Sequence, residues 1–136
     1  MTKEKEVVSI FYNECLTVNE KTNTIEVLTK LFAEDFQSRN AKETKGKAQM
    51  IGQIGGFWKL MPDMKWEIQE MIQEGNKVVV RSEFSASPKG EFMGMNLDGT
   101  KKFKTMAIDI HTVENGQIIT VYHCEEWATA IAQLKS

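Results

Sequence analysis

Apolar residues in the first part of the chain recur at helical spacing, and those in the later part at strand spacing. Val7, Phe11 and Cys15, flanked by Val8, Tyr12 and Leu16, mark an amphipathic helix over 3–17. Asn19 to Asn23 is polar and reads as a loop. Asn23 followed by Glu26 has the form of a capping box and opens a second helix, with Ile25, Leu28, Leu31 and Phe32 as its buried stripe. That helix is expected to end near Glu34. Asp35 to Lys47 reads as an extended, exposed connection whose charges, Arg39, Lys42 and Lys45, are solvated; Arg39 is the one expected to reach a pocket mouth. A third helix spans Lys47 to Leu60, with Met50, Ile54, Phe57 and Met61 on one face and Ile51 and Trp58 beside them. Gly52, Gly55 and Gly56 weaken it by about 1 kcal/mol each, and Pro62 ends it.

Four strands are expected after that. Lys65 to Gln73 places Trp66, Ile68, Glu70 and Ile72 on alternate positions, and Glu74-Gly75-Asn76 turns the chain. Lys77 to Ser87 puts Val78, Val80, Ser82, Phe84 and Ala86 on one face, with Arg81 and Glu83 on the other. Pro88 to Thr100 reads as a glycine-containing loop carrying Phe92, Met93, Met95 and Leu97. So apolar a loop is expected to fold over a pocket or an interface. Lys101 to Val113 and Gln117 to Trp127 form the last two strands, and residues 128–136 a short helical tail.

The last hairpin carries unusual cargo. Asp109, His111, His123 and Glu125 interrupt runs that otherwise read as buried, and both histidines of the protein are among them. Asn115-Gly116 between β-branched runs is a strong hairpin signal. Two registers are open. A three-residue loop, Glu114 to Gly116, pairs Asp109 with Val121 and Ala107 with His123. It turns all four polar residues to one side, with Asp109 and His123 diagonal neighbours at roughly 7 Å between Cβ atoms. A two-residue turn pairs Glu114 with Gln117 and sends the polar pair to opposite faces. The three-residue loop is the expected register.

Helices followed by an antiparallel meander read as one α+β domain over residues 1–136, with helices on one face of a curved sheet around an apolar cavity. At 41% hydrophobic and 26% charged residues, with a net charge of −2, the composition is that of an ordinary globular domain. No basic block suggests nucleic acid or an anionic membrane surface. No apolar run spans a bilayer, and the N-terminal residues lack a signal-peptide core, so the expected location is cytoplasmic. Cys15 and Cys124 have no metal or redox spacing and are expected to be reduced and packed.

Several motifs carry a resemblance to a known family. Met61-Pro-Asp-Met-Lys-Trp66 follows the third helix; Gly90-Glu-Phe-Met-Gly-Met95 precedes Asp98-Gly-Thr-Lys101; Ile108-Asp-Ile-His-Thr-Val-Glu-Asn-Gly-Gln-Ile118 spans the hairpin; Leu31-Phe-Ala-Glu-Asp-Phe36 closes the second helix. With these, the chain resembles the SnoaL-like polyketide cyclases (ester cyclases) of the nuclear transport factor 2 / ketosteroid isomerase superfamily, from Val7 to Leu134. The resemblance implies a cone-shaped α+β barrel and a homodimer paired through the outer sheet face. It also implies an aspartate on the last strand as general acid/base, assisted by a histidine on the preceding strand. Aligned on Gly116, the aspartate position falls on His123 and the histidine position on Asp109, so the two types are exchanged. An acidic family position further on falls on Glu126.

Aldol closure and related reactions need a proton taken from beside a carbonyl, for which a group titrating near neutrality is suited. His123 is the expected proton-transfer residue and Asp109 the group that orients it, without metal or organic cofactor. Trp58, Met61, Phe92 and Met95 are expected to wall a cavity for a hydrophobic small molecule, with His111 and Glu125 beside the pair. An alternative sets Asp109, His111, His123 and Glu125 around a zinc or iron ion. The function expected is a cofactor-independent cyclase, isomerase or lyase on a hydrophobic carbonyl compound. The alternative is a non-catalytic small-molecule carrier.

Overall fold

The computed structural model describes residues 1–136. Helix α1 (Lys3–Ile10) opens with Thr2 accepting the Lys5 backbone N–H, and runs into a π-helical turn, Phe11–Cys15. The wider turn lets Phe11, Tyr12 and Cys15 all face inward. Its end is pinned by Trp58, whose Nε1–H donates to the Cys15 carbonyl at 2.7 Å and so satisfies a carbonyl that the helix leaves free. Helix α2 (Thr24–Leu31) is capped by the Asn23 side chain as expected, but it stops short of Glu34. Helix α3 (Lys47–Leu60) has the expected bounds, and α4 (Trp127–Lys135) ends the chain.

The strands, numbered in chain order, are β1 (Phe32–Arg39), β2 (Thr44–Gly46), β3 (Lys65–Glu74), β4 (Lys77–Ala86), β5 (Lys89–Phe92), β6 (Met95–Asp98), β7 (Phe103–Glu114) and β8 (Gln117–Glu125). Six of them form a sheet in the order β2-β1-β8-β7-β4-β3, and β5 and β6 form a separate hairpin. The segment expected to be an exposed connection is instead β1 (Phe32–Arg39) and β2 (Thr44–Gly46), with Phe36 and Ser38 buried. Strand β1 pairs in parallel with β8, so the sheet is mixed and not wholly antiparallel. Pairing between them shifts register between Phe32 and Gln37, which breaks the alternation by which a strand is recognised. Residues 88–100 are β5 (Lys89–Phe92) and β6 (Met95–Asp98), joined at Met93-Gly94.

Strands β3 (Lys65–Glu74) and β4 (Lys77–Ala86) lie beside β7 (Phe103–Glu114). In β3 an extra residue at Gln69 reverses the facing. Met71 therefore packs on the core, and Ile72, expected inside, is 60% exposed. Strand β8 is Gln117–Glu125. The hairpin joining β7 to β8 has the two-residue turn, not the three-residue loop. Glu114 pairs with Gln117, and Asn115 (φ 52°) and Gly116 (φ 77°) are both left-handed, as the tight hairpin turn requires. That turn alone would turn Asp109 and His123 apart. An extra residue at Ile119, between the Val113–Ile118 and Thr112–Thr120 pairs, turns β8 over once more. Asp109 and His123 are thereby direct cross-strand partners on the inner face.

Of the two thiols, Cys15 is buried, and burial pushes it up to about 12; Cys124, expected to be packed, lies exposed on the outer face. No helix is long and apolar enough to cross a membrane.

Candidate active site

A pocket of about 230 Å³ opens between α3, the π-helical turn and the β1-β8-β7 side of the sheet. Phe11, Leu16, Met50, Ile54, Phe57 and Val121 give it an apolar body. Its volume falls below the roughly 300–1,000 Å³ usual for drug-sized ligands, which suits a compact molecule. Asp109, His123 and Glu125 lie together on one wall. Ser38, Asn40, Lys45 and Gln53 bring further polar groups to the lining.

Asp109 is 3% exposed. Its Oδ2 accepts a 2.5 Å hydrogen bond from the Tyr12 hydroxyl, and Oδ1 has no protein partner. Burial pushes its carboxyl up and the Tyr12 hydrogen bond pulls it down. The Glu125 charge pushes it up again, the His123 charge and the Cys124 amide pull it down, and the balance is about 7. His123 is held differently. Its Nδ1 lies 3.1 Å from both Glu125 carboxylate oxygens, and this hydrogen bond keeps its imidazole above the ordinary 6.5 against the opposing effect of burial. The group that orients His123 is therefore Glu125 and not Asp109, which is tied instead to Tyr12.

His111 does not face the pocket. It is fully buried, packed edge-on against Phe11 and Tyr12, with Nε2 2.8 Å from the Tyr12 oxygen. Burial pushes its imidazole down to about 3. The arrangement of Asp109, His111, His123 and Glu125 around a metal ion is not what these side chains form, and no three His, Cys, Asp or Glu side chains are grouped to hold one.

None of the four residues expected to wall the cavity lines it. Trp58 is spent on the Cys15 carbonyl and Met61 is wholly in the core. Phe92 packs with Phe103 and Trp127, and Met95 lies against the core from the β5–β6 hairpin. Their neighbours Phe57 and Met93 line the pocket instead. On a helix or a hairpin, a step of one position changes the face presented. Lys45, expected to be solvated, lines the pocket, hydrogen-bonds Gln53 of α3 and pairs with Glu43 at 3.3 Å. Arg39 turns instead to Gln37. Tyr12 was legible only as a core residue. A hydroxyl on a buried helical stripe, which needs a partner, is the signal that points beyond packing.

A family model described as SnoaL-like polyketide cyclase matches residues 6–134. No curated protein matches the chain. Among solved structures, IdmH from Streptomyces antibioticus, assigned provisionally to the polyketide cyclases, is 20% identical, with 99% of this chain and 100% of that one covered and a TM-score of 0.83. A protein from Jannaschia sp. CCS1, described provisionally as a SnoaL-like polyketide cyclase, is 17% identical over 98% of this chain and 92% of its own, with a TM-score of 0.86. A protein of ketosteroid isomerase-like fold from Catenulispora acidiphila, solved with trimethylamine, is 15% identical over 96% and 92%, with a TM-score of 0.75. At these identities the structures establish the fold, a curled α+β sheet with helices against it.

Proposed function

The chain belongs to the SnoaL-like polyketide cyclase family, and from that premise we propose that it is a cofactor-independent acid/base enzyme acting on a compact, hydrophobic, enolisable carbonyl compound. The observation that carries this reading is the pairing of Asp109 with His123 on one wall of a pocket with an apolar body. The two differ in their support, and so in their roles. Asp109, balanced at about 7, is a base matched to neutral pH. His123, held above its ordinary value by Glu125, is the acid.

In this mechanism the α C–H bond breaks and its proton passes to the Asp109 carboxylate. The electron pair moves into the carbonyl, whose oxygen takes the proton of His123. In a cyclase the enol carbon then attacks a second carbonyl of the same molecule while its O–H proton returns to His123, and the alkoxide formed takes the proton held by Asp109. In an isomerase Asp109 delivers that proton to another carbon as the O–H proton returns to His123. The apolar body of the pocket favours the ring or chain of the substrate, and the low local dielectric strengthens the hydrogen bonds that hold the two groups.

The test is deuterium incorporation beside the carbonyl of 2-tetralone, a two-ring ketone, followed by NMR. The protein is expected to accelerate exchange, and His123→Gln to lose about 10²–10⁴-fold, the usual worth of a positioned acid or base. An unchanged rate in that variant removes the mechanism. Binding of the ketone without exchange would mark a small-molecule carrier, the reading favoured by histidine standing where the family's aspartate is expected.

We also propose a homodimer. Ile72, Val79, Ile110 and Tyr122 are successive cross-strand partners on the outer face, and Ile72, Ile110 and Tyr122 are exposed. A continuous apolar row of this kind is usually covered by a partner, and a second copy is the partner the family favours.

A further inference from the structure

Behind Asp109 lie two polar side chains that do not line the pocket. The Tyr12 hydroxyl oxygen is 2.5 Å from Asp109 Oδ2 and 2.8 Å from His111 Nε2. Both Tyr12 and His111 are fully buried. A phenol carries one proton, so between these neighbours it donates to one and accepts from the other. The direction of the three-residue chain therefore depends on where His111 keeps its proton.

His111 is neutral. It has no carboxylate partner, and burial holds its imidazole far below neutrality. A neutral ring has one N–H and one bare nitrogen. Its Nδ1 has no partner in the protein. A proton on Nδ1 would leave a buried N–H without an acceptor. A proton on Nε2 leaves only a lone pair unmatched. Orphaned buried N–H groups are the rarer of the two, because an unused donor forfeits its full hydration. The proton thus belongs on Nε2, which donates to Tyr12. Tyr12 has then only its own proton to offer Asp109, and donates it to Oδ2.

We propose that His111 and Tyr12 form a one-way donor chain that occupies Oδ2 of Asp109 and leaves Oδ1 as the only oxygen through which Asp109 exchanges a proton with a ligand. The proposal rests on the acid/base reading of the pocket. Tyr12 and His111 are positioning residues in it, since neither lines the pocket. The chain does two things. It supports the ionised carboxylate against burial, which keeps the base usable near neutral pH. It also bars the proton from Oδ2, which already accepts from Tyr12. The other charged groups near the carboxyl are His123 and Glu125 on β8, which act in opposite senses; its partner on β4 is the apolar Val80. Neither can supply the Oδ2 hydrogen bond that Tyr12 makes.

The experiment is NMR on protein labelled with ¹⁵N and ¹³C, following the His111 ring nitrogens and the Asp109 carboxyl carbon across the neutral pH range. Nε2 of His111 is expected to be protonated and Nδ1 bare throughout, while Asp109 titrates. Tyr12→Phe keeps the ring and removes the hydroxyl. It should raise the Asp109 midpoint by about one to two pH units, the worth of one hydrogen bond to a charged group. A merely structural tyrosine would leave that midpoint where it was. A proton on Nδ1 of His111, or an unmoved Asp109 midpoint in Tyr12→Phe, overturns the proposal. The tautomer is read on the unaltered protein, so the test stands even if the variant folds poorly. Neither readout needs turnover: a protein with the chain intact but no exchange activity counts against the catalytic reading alone.

Discussion

Asp109 and His123 are direct partners across β7 and β8, yet no hydrogen bond joins their side chains. Each is tied from a different side, Asp109 by Tyr12 and His123 by Glu125. What passes between them is charge. The imidazolium lowers the carboxyl's pKa, and the carboxylate raises the imidazole's. Two groups held this way titrate as a coupled pair, and Asp109 Oδ1 is left without a protein partner.

The first prediction is the pH dependence of exchange. The active form has Asp109 ionised and His123 protonated. Asp109 gains its charge as pH rises through about 7, so the rate should climb there. His123 keeps its proton until pH passes its own raised value, above 6.5, and the rate should fall beyond it. A bell that rises through about 7 and falls once pH passes the raised His123 midpoint is expected for deuterium incorporation into 2-tetralone. A rate that rises steadily with hydroxide concentration is the contrary result.

Glu125→Gln supplies the second. The substitution keeps the shape and removes the charge. His123 loses the partner that raises it, and Asp109 loses a neighbouring negative charge that also raises it. Both limbs of the bell should therefore move to lower pH. On the alkaline side the rate should drop about tenfold for each unit by which the His123 midpoint falls. NMR titration of His123 in the same variant checks the cause, since its midpoint must fall with the rate.

The hairpin shows how much of this site the sequence carries. The periodicity of β7 is unbroken, and it placed Asp109 and His111 on the inner face. The Asn115-Gly116 signal located the turn but not the register, because the extra residue at Ile119 has no mark of its own: isoleucine is as much at home in a bulge here as in a ladder. That one residue decides whether His123 meets Asp109 or turns away. The same limit hid β1, whose register shift breaks its alternation, and reversed the end of β3 at Gln69. Helix α3 was legible to its ends because its pattern is local. Which of its apolar residues walls the pocket was not, since Phe57 and Trp58 differ by one step of helix and the outcome depends on what lies opposite.

The third prediction concerns the outer face. Ile110 sits between Val79 and Tyr122 in the exposed row. The protein is expected to scatter light as twice its 15.5 kDa chain mass at micromolar concentration. Ile110→Lys places a charge in the middle of the row, where burial without a partner is costly, and should return the mass to that of one chain. Ile110 points away from the pocket, so the His123 and Asp109 titrations should survive the change. A wild-type mass of one chain would remove the dimer.

Stability against pH gives the last prediction, and its sign is opposite to that of a salt-bridged carboxylate. Asp109 titrates at about 7 when folded and near 3.9 when unfolded. Its contribution is full below about pH 4 and is lost as pH rises through 7, a swing of about 4 kcal/mol. His111 acts the other way: folded at about 3 against an ordinary 6.5, its contribution is present above 6.5 and is lost as pH falls. Between these values the two slopes oppose each other, so the wild-type profile should be nearly flat and conceal both. Asp109→Asn removes one of them. The amide is close in shape and still offers Tyr12 an oxygen, but carries no charge to bury. In urea titrations the variant should be more stable than wild type by about 2–4 kcal/mol at pH 8, with little or no gain at pH 4. The difference should show in the midpoint and not in the slope, because the surface exposed on unfolding is unchanged. The same variant should lose exchange activity, since the charge that costs stability is the one that takes the proton. Equal gains at both pH values would mean that Asp109 is not a buried acid poised near neutrality, and the base assigned to the pocket would have to be sought elsewhere.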